Sequence, residues 1–292
     1  MRPLRRRFVA ALCLATMSAL TGCSGPGSMR SDPRARVEYA ESLAAAGGFE
    51  KIPAPAEPAR DRPVAVWVRP GSVDRCVRVY IEGDGLAWQS RHRVSTDPTP
   101  IDPIGLRLAL ADRSRATVFY LARPCQYEGA NTSACHPIDW TDGRFGDRAL
   151  ESMDARLREV IAREPATDLT LIGFSGGGVI AALLSARRND VDRLVTIAAP
   201  LDLEYWAQTQ GFPPLQSSRS PIDSIPALRS VPQDHFAGTR DRRVSDSTVA
   251  RFHAALGPEA PSRFHRIEGV RHADWPERWE GLLAGLALRC GD

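Results

Sequence analysis

The sequence contains a single lysine, Lys51, so almost all of its positive charge is carried by arginine. One lysine gives no basis for a catalytic Ser–Lys dyad. The sequence also lacks the Cys-x-x-Cys and His-Glu-x-x-His spacings of common zinc sites, and we therefore expect no metal and no other cofactor. No apolar run reaches the roughly 20 residues that a transmembrane helix needs.

The formal net charge of +3 comes from the N-terminus. The chain has 38 basic and 35 acidic residues, and four arginines lie within its first seven positions, Arg2, Arg5, Arg6 and Arg7. Without those four, 34 basic residues face 35 acidic ones. A nearly neutral remainder provides no electrostatic basis for binding nucleic acid, so we expect none.

The N-terminus has the features of an export signal. The arginines precede the apolar stretch Phe8–Leu20, which is too short to cross a bilayer. The following Leu20-Thr21-Gly22-Cys23-Ser24 resembles a bacterial lipobox, in which the cysteine is acylated and becomes the mature N-terminus. We predict a lipoprotein signal peptide over residues 1–22 and a lipid anchor at Cys23; an ordinary secretory signal or a buried core segment is the alternative. Ser24, rather than aspartate, favours the periplasmic face of the outer membrane over the inner membrane.

Cysteine content agrees with export. The four cysteines that follow Cys23 could pair in three ways in an oxidising compartment: Cys76, Cys125, Cys135 and Cys290. Cys125 and Cys135 are close in sequence across a polar loop, and we predict a disulfide between them. The remaining pair would then be Cys76–Cys290, with free buried thiols as the alternative.

Composition divides the chain into a tether and one domain. Residues 23–61 are rich in Gly, Pro, Ser and Arg, with one short helical pattern over 37–46, and we predict a tether there. Residues 62–292 have the size of one large α/β domain. Strands are predicted at 64–68, 76–82, 117–122, 168–173, 193–198, 235–237 and 263–267. Helices are predicted at 104–111, 149–162, 247–256 and 276–288, and directly after the strand 168–173. This alternation indicates a mostly parallel central sheet with helices on both faces.

One strand-to-helix corner carries a Gly-x-Ser-x-Gly motif, Gly173-Phe174-Ser175-Gly176-Gly177. A serine at such a corner is held at positive φ, while the glycines let the strand and the helix approach each other. The N–H of Gly176, at the start of the helix, would point to where an oxyanion forms. A plain tight turn, or a phosphate cradle, is the alternative interpretation.

The carboxyl ends of parallel strands locate the site in such folds. His272 alone among the six histidines follows the last predicted strand. The others fall in predicted strands, a helix or polar loops: His92, His136, His235, His253 and His265. Asp241 follows the penultimate strand and is our preferred acid, and Asp202, after the preceding strand, is the alternative.

Ser175, Asp241 and His272 occur in this order after successive strands, and from about Pro63 to the C-terminus the chain resembles the α/β-hydrolase superfamily. With the lipobox, Ile81-Glu82-Gly83-Asp84-Gly85 resembles a group of bacterial α/β-hydrolase lipoproteins without an assigned substrate. The resemblance implies that Ser175 is the nucleophile, His272 the general base and Asp241 the residue that orients it.

The resemblance also implies an oxyanion hole formed by the N–H groups of Gly176 and Asp84. Many superfamily members have His-Gly where this chain has Glu82-Gly83. The carboxylates of Glu82 and Asp84 would weaken an anion site if they pointed into it and would be harmless if they pointed outward.

The expected activity is hydrolysis of a small-molecule or lipid-like ester by an esterase-like or lipase-like enzyme at the cell envelope. Amide or peptide hydrolysis by the same triad, and a non-catalytic envelope lipoprotein with this fold, are the alternatives. Two long loops lie at the expected end of the sheet. Residues 123–147 include Arg123 and Arg144, and residues 200–232 would form a short cap or lid insertion after the strand 193–198. The oligomeric state is left open.

Overall fold

A computed structural model of the chain describes residues 26–53, 62–73, 75–128, 132–164, 168–286 and 288. The predicted signal peptide, Cys23 and Cys290 lie outside these residues. Within the described ranges, no helix is both long enough and apolar enough to cross a membrane.

The strands and helices alternate along the chain. The strands are β1 Glu50–Ile52, β2 Val66–Arg69, β3 Cys76–Ile81, β4 Trp88–Ser90, β5 Arg93–Val94, β6 Thr117–Leu121, β7 Asp168–Phe174, β8 Arg193–Ile197, β9 Gln233–Gly238 and β10 Ser262–Ile267. The helices are α1 Pro26–Ser31, α2 Pro33–Ala46, α3 Ile104–Ala111, α4 Asp147–Arg163, α5 Gly176–Ser185, α6 Leu203–Gln210, α7 Ile225–Leu228, α8 Asp246–Leu256 and α9 Pro276–Ala284. Short 3₁₀ helices cover Pro137–Trp140 and Pro221–Ser224.

The described residues form an eight-stranded sheet in the order β1-β2-β6-β3-β7-β8-β9-β10, and β4 and β5 pair separately as a small hairpin. β2 runs antiparallel to both β1 and β6. The other neighbouring strands of the large sheet are parallel. This confirms the predicted mostly parallel α/β sheet.

Helices cover both faces of the sheet, which explains why β7 is buried along its whole length. Apolar side chains of α4, α5 and α8 pack in the core on one face, while those of α2, α3 and α9 pack in the core on the other. β7 lies between β3 and β8 at the centre of the sheet, so the residue that follows it leaves from the middle of the carboxyl edge.

The prediction of a tether over residues 23–61 is wrong for the described residues 26–53. α2 buries Ala40 and Ala44 in the core, and β1 extends the sheet by pairing Ile52 with Val66. Small alanines pack closely without an obvious apolar stripe, and a three-residue edge strand carries too little pattern to be recognised. The high Gly, Pro, Ser and Arg content of residues 23–61 therefore led to the prediction of a tether where the chain folds into a helix and a strand.

The insertion after β8 contains α6 and α7 and contacts the loop that follows β9. The indole Nε1 of Trp206 on α6 donates to the carbonyl of Arg243 over 2.7 Å. The Trp206 ring also lies 5.8 Å from the Arg144 guanidinium. This insertion thus links the segment after β6 to the loop after β9.

The disulfide between Cys125 and Cys135 is present, as the short spacing predicted. Cys76 is buried and disulfide-bonded as well. Its expected partner, Cys290, lies outside the described residues, and that pairing stays a prediction.

Candidate active site

Ser175 occupies the sharp corner between β7 and α5. Its backbone has φ 52° and ψ −122°, a left-handed conformation that costs a non-glycine residue about 1–3 kcal/mol. Two hydrogen bonds hold it: the Ser175 N–H donates to the Ile197 carbonyl over 2.8 Å, and the Ser175 carbonyl accepts from the Gly178 N–H over 2.9 Å. The corner therefore presents the Ser175 side chain at the carboxyl end of the sheet.

The glycines of the motif are required by close backbone approaches. A Cβ on Gly173 would lie 2.3 Å from the Gly177 carbonyl oxygen, and one on Gly177 would lie 2.2 Å from the Ile81 carbonyl oxygen. Both contacts are with backbone atoms, which cannot move aside without shifting α5 or β3. No larger residue fits at either position while the corner keeps this shape.

Backbone contacts tie the loop after β9 to the loop after β10. The Arg240 N–H donates to the Val270 carbonyl over 3.0 Å, and the Gly269 N–H donates to the Thr239 hydroxyl over 2.9 Å. Because β9 and β10 are parallel neighbours, both loops leave the sheet at the same edge as Ser175. Their joining brings an aspartate and a histidine, far apart in sequence, to the same place.

The side chains of Ser175, His272 and Asp241 form one hydrogen-bonded line. His272 Nε2 lies 3.1 Å from Ser175 Oγ, and His272 Nδ1 lies 2.7 Å from Asp241 Oδ2. The Asp241 side chain is buried, and its second oxygen accepts the N–H groups of Arg243 and Val244 at 2.8 and 2.9 Å. An acceptor at Nδ1 favours the tautomer that leaves Nε2 free to accept the serine proton.

The alternative candidates lie elsewhere. Asp202 caps α6, where it accepts the Tyr205 N–H at 3.1 Å, and it pairs with Arg251 at 2.7 Å. His235 is buried between the Thr196 hydroxyl and the Gln233 amide, at 2.8 and 3.0 Å. Burial lowers the pKa of His235 to about 3, so it stays neutral as a core residue.

Gly176 and Asp84, the expected oxyanion donors, lie side by side. A Cβ placed on Gly176 would lie 1.9 Å from Asp84 Oδ1, so the Asp84 side chain rests against the first residue of α5. Among the described residues, neither backbone N–H donates a hydrogen bond. Both N–H groups are therefore unoccupied by other described groups, as oxyanion donors must be.

The Glu82 carboxylate does not face an anion site; it caps the N-terminus of α3. Its side chain is buried, and its oxygens accept from four donors: the N–H groups of Gly83, Gly105 and Leu106 and the Tyr120 hydroxyl, at 2.8, 3.0, 3.3 and 2.9 Å. Burial raises the pKa of Glu82, and these donors oppose that rise because they stabilise the charged form. The carboxylate thus replaces the histidine common at this position with a structural cap.

The Asp84 carboxylate does lie beside Gly176, and two arginines neutralise it. Arg123 Nη1 is 3.1 Å from one carboxylate oxygen, and Arg144 Nε is 2.9 Å from the other. Burial lowers the pKa of Arg123 to about 10 although Asp84 acts to raise it, so Arg123 remains charged at neutral pH. From the sequence, both arginines could be identified only as residues of the loop 123–147. That loop holds two arginines and four acidic residues, so its charge gave no signal for their role.

A group of three or more His, Cys, Asp or Glu side chains that could hold a metal ion does not occur in the described part of the chain. The side chains of His272 and Asp241 form a proton-accepting line from Ser175, and the Gly176 N–H follows the serine directly at the start of α5. This arrangement can activate a hydroxyl and stabilise a negative oxygen.

Comparison with known proteins gives similarity in structure only, since no family model and no curated protein matches the sequence. Among solved structures, the Pyrococcus furiosus esterase Pf2001 is similar with a TM-score of 0.57 and 15% identity, over 82% of this chain and 92% of the esterase. An alpha-beta serine hydrolase homologue from Coxiella burnetii has a TM-score of 0.53 and 17% identity, over 81% and 97% of the two chains.

A Pyrococcus horikoshii acylaminoacyl peptidase is similar with a TM-score of 0.60 and 12% identity, and the match covers 84% of this chain but 43% of the peptidase. At such identities the likeness concerns the fold. The sheet order, with β2 antiparallel and a serine corner after the central strand, agrees with it. The chain therefore has the α/β-hydrolase fold.

Proposed function

We propose that this chain is a serine hydrolase that cleaves a carboxylic ester through an acyl-enzyme. The observation that carries the proposal is the imidazole of His272, which is hydrogen-bonded to the Ser175 hydroxyl on one side and to the buried Asp241 carboxylate on the other. This is the geometry that proton transfer from a nucleophilic serine requires.

In the proposed reaction, Ser175 Oγ attacks the ester carbonyl while its proton passes to His272 Nε2. Asp241 stabilises the imidazolium that forms. The N–H groups of Gly176 and Asp84 would stabilise the tetrahedral oxyanion, and loss of one such donor costs comparable enzymes about 2.7–4 kcal/mol. The Nε2 proton then goes to the leaving alcohol oxygen, and a water molecule activated by His272 releases the acyl group. Only a neutral imidazole can accept the serine proton, so His272 acts as the base in its neutral form.

The test combines a fluorophosphonate probe with turnover of a reporter ester. We expect the wild-type protein to be labelled and active, and Ser175→Ala to lose both without unfolding. Ser185→Ala is the matched control: this serine lies at the other end of α5, where its hydroxyl donates to the Ala181 carbonyl over 2.8 Å. Undiminished ester turnover by Ser175→Ala, or no labelling of the wild type, would refute the proposal. The second result would favour a non-catalytic lipoprotein.

Amide or peptide hydrolysis is the second candidate, because the same triad serves both reactions and the similar structures include an acylaminoacyl peptidase. Comparing kcat/KM for an ester and an amide with the same acyl group separates the two. We expect the ratio of kcat/KM for the ester to kcat/KM for the amide to exceed the ratio of their uncatalysed hydrolysis rates. Turnover of the amide at a rate comparable to that of the ester would identify a peptidase.

The location of the protein is a separate proposal, supported by the N-terminal sequence. Cys23, in its lipobox, would carry the lipid that anchors the chain to the envelope, facing the periplasm from the outer membrane. Labelling with a palmitate analogue, followed by membrane fractionation, should show a lipid on the wild type that Cys23→Ser lacks. A labelled Cys23→Ser variant, or unlabelled wild type, would contradict the anchor.

A further inference from the structure

We propose that Gln126 is a positioning residue that aims the Asp84 N–H into the oxyanion hole. The proposal rests on the proposed function, because it concerns the same reaction. The peptide group between Gly83 and Asp84 carries the N–H that is the second expected oxyanion donor.

That peptide is held by its carbonyl. The Gln126 side-chain Nε2 donates to the Gly83 carbonyl oxygen over 3.1 Å. The described residues contain no cis peptide bond, and in a trans peptide the C=O and N–H point in opposite directions. Fixing the Gly83 carbonyl on Gln126 therefore directs the Asp84 N–H away from Gln126.

The Gln126 side chain is itself rigid. It is 1% exposed, and its oxygen accepts the Arg123 backbone N–H over 2.9 Å. The neighbouring Cys125 is closed into the disulfide with Cys135, and its N–H donates to the Pro63 carbonyl over 2.9 Å. Because both ends of the buried Gln126 amide are hydrogen-bonded and the preceding residue is crosslinked, Gln126 holds the Gly83–Asp84 peptide in one orientation.

The backbone of Gly85 packs closely against Gln126 and Pro98. A Cβ on Gly85, which has φ 62°, would lie 2.7 Å from Gln126 Nε2 and 2.1 Å from the Pro98 carbonyl oxygen. On the other side, the Gly83 N–H is held by Glu82 at 2.8 Å. The N–H and the carbonyl of Gly83 thus both have protein partners, whereas the Asp84 N–H donates to no described residue.

The experiment uses Gln126→Glu and Gln126→Met in the full-length protein. Both variants lose the N–H that binds the Gly83 carbonyl, but only Gln126→Met loses the acceptor for the Arg123 N–H. Active sites are counted by titration to completion with a fluorophosphonate, and kcat is expressed per active site. We expect this kcat to fall about 10- to 100-fold in both variants, because misdirecting an oxyanion donor should cost only part of the roughly 10²–10³-fold loss caused by removing one. KM for the ester should change little, because the lost interaction acts on the transition state.

A trifluoromethyl ketone inhibitor provides the second readout, since its adduct with the serine carries an oxyanion. Its inhibition constant should weaken by the same factor as kcat/KM. Gln233→Glu is the matched control: Gln233 is equally buried and donates to the carbonyls of Leu228 and Val231 at the amino end of β9, the far end of the sheet. It should lower thermal stability without changing kcat per titrated site.

The outcomes separate the two proposals. Ester turnover that depends on Ser175 but has the same kcat and the same ketone affinity in both Gln126 variants overturns the positioning role alone. Turnover that survives Ser175→Ala overturns the proposed function and the positioning role together. A fall in kcat that the ketone affinity does not follow also overturns the positioning role, because it places the effect outside the oxyanion hole.

Discussion

Replacing Arg123 by methionine should expose the charge of Asp84 to the proposed oxyanion hole. The guanidinium lies 3.1 Å from Asp84 Oδ1 and also donates to the Arg144 carbonyl. Methionine preserves much of the side-chain volume but removes both contacts. We expect Arg123→Met to lose stability and, in the folded fraction, to lose kcat, because a carboxylate beside Gly176 that keeps only Arg144 as its partner repels the developing oxyanion more strongly.

The size of the effect follows from the contact and its burial. At 3.1 Å and an effective dielectric constant of about 20, the Coulomb attraction is about 5 kcal/mol. Removing Arg123 from water offsets part of this attraction, and Asp84, which is 27% exposed, keeps Arg144 as a partner. Breaking a buried ion pair typically costs about 3–5 kcal/mol, and we expect the lower end, about 3 kcal/mol.

A double-mutant cycle of Arg123→Met, Asp84→Asn and the double variant measures the pair, with guanidinium-induced unfolding as the assay. The coupling should be about 2 kcal/mol, since Asp84→Asn removes the charge that Arg123 balances. In kcat, the double variant should recover much of what Arg123→Met loses. The control cycle uses Arg266 and Asp246, a pair 2.7 Å apart but 56% and 31% exposed, for which the coupling should be a few tenths of a kcal/mol. Additive effects at Arg123 and Asp84 would show that the two charges do not stabilise each other and would refute the reasoning.

Three further results are expected. Burial holds the pKa of His235 near 3, below its value of about 6.5 in the unfolded chain, so between these values the unfolded state binds more protons than the folded one. The free energy of unfolding of the wild type should therefore fall by about 2 kcal/mol between pH 7.5 and pH 5. His235→Gln should lack that loss when both proteins are unfolded with urea. An equal pH slope in both proteins would contradict this. Replacing Cys125 and Cys135 by serine opens a disulfide with a separation of 10 residues and should cost about 2.7 kcal/mol on the chain-entropy model, relative to the oxidised wild type in urea unfolding without reductant; equal stability of the two proteins would contradict this. Gly173→Ala should prevent folding or unfold at much lower temperature, because its Cβ would lie 2.3 Å from the Gly177 carbonyl oxygen; a normal melting curve would show that the corner can relax.

The serine corner and the two loops that follow β9 and β10 could be predicted because each is a local pattern. A run of apolar residues ending in Gly173 and Ser175 specifies strand, turn and helix within one short stretch. The rule that sites lie at the carboxyl ends of parallel strands then selected Asp241 and His272 from many acids and histidines. The geometry in which these residues meet follows from the strand order, in which β7, β8, β9 and β10 are neighbours; the alternation of elements had indicated only a mostly parallel sheet.

The N-terminal segment and the directions of the two acidic side chains could not be predicted, because both depend on partners far away in sequence. α2 is held in place by packing on α3, and its mean hydropathy is too low to reveal a buried face. Glu82 turns inward because Tyr120 and the free N–H groups of α3 satisfy it, and Asp84 stays at the corner because Arg123 reaches it. A local pattern shows that a carboxylate is present but not which distant donor decides its direction.

The choice of arginine rather than lysine beside Asp84 has a physical reason. Arg123 binds Asp84 and the Arg144 carbonyl at once, and Arg144 binds Asp84 and the Thr141 carbonyl. A planar guanidinium can serve a carboxylate and a carbonyl from separate edges, whereas an ammonium is a compact and strongly hydrated point charge that loses more on burial. The same two residues therefore balance the negative charge of Asp84 beside Gly176 and fix the segment after β6 to which they belong. That double role makes an aspartate compatible with the oxyanion donor proposed at this position.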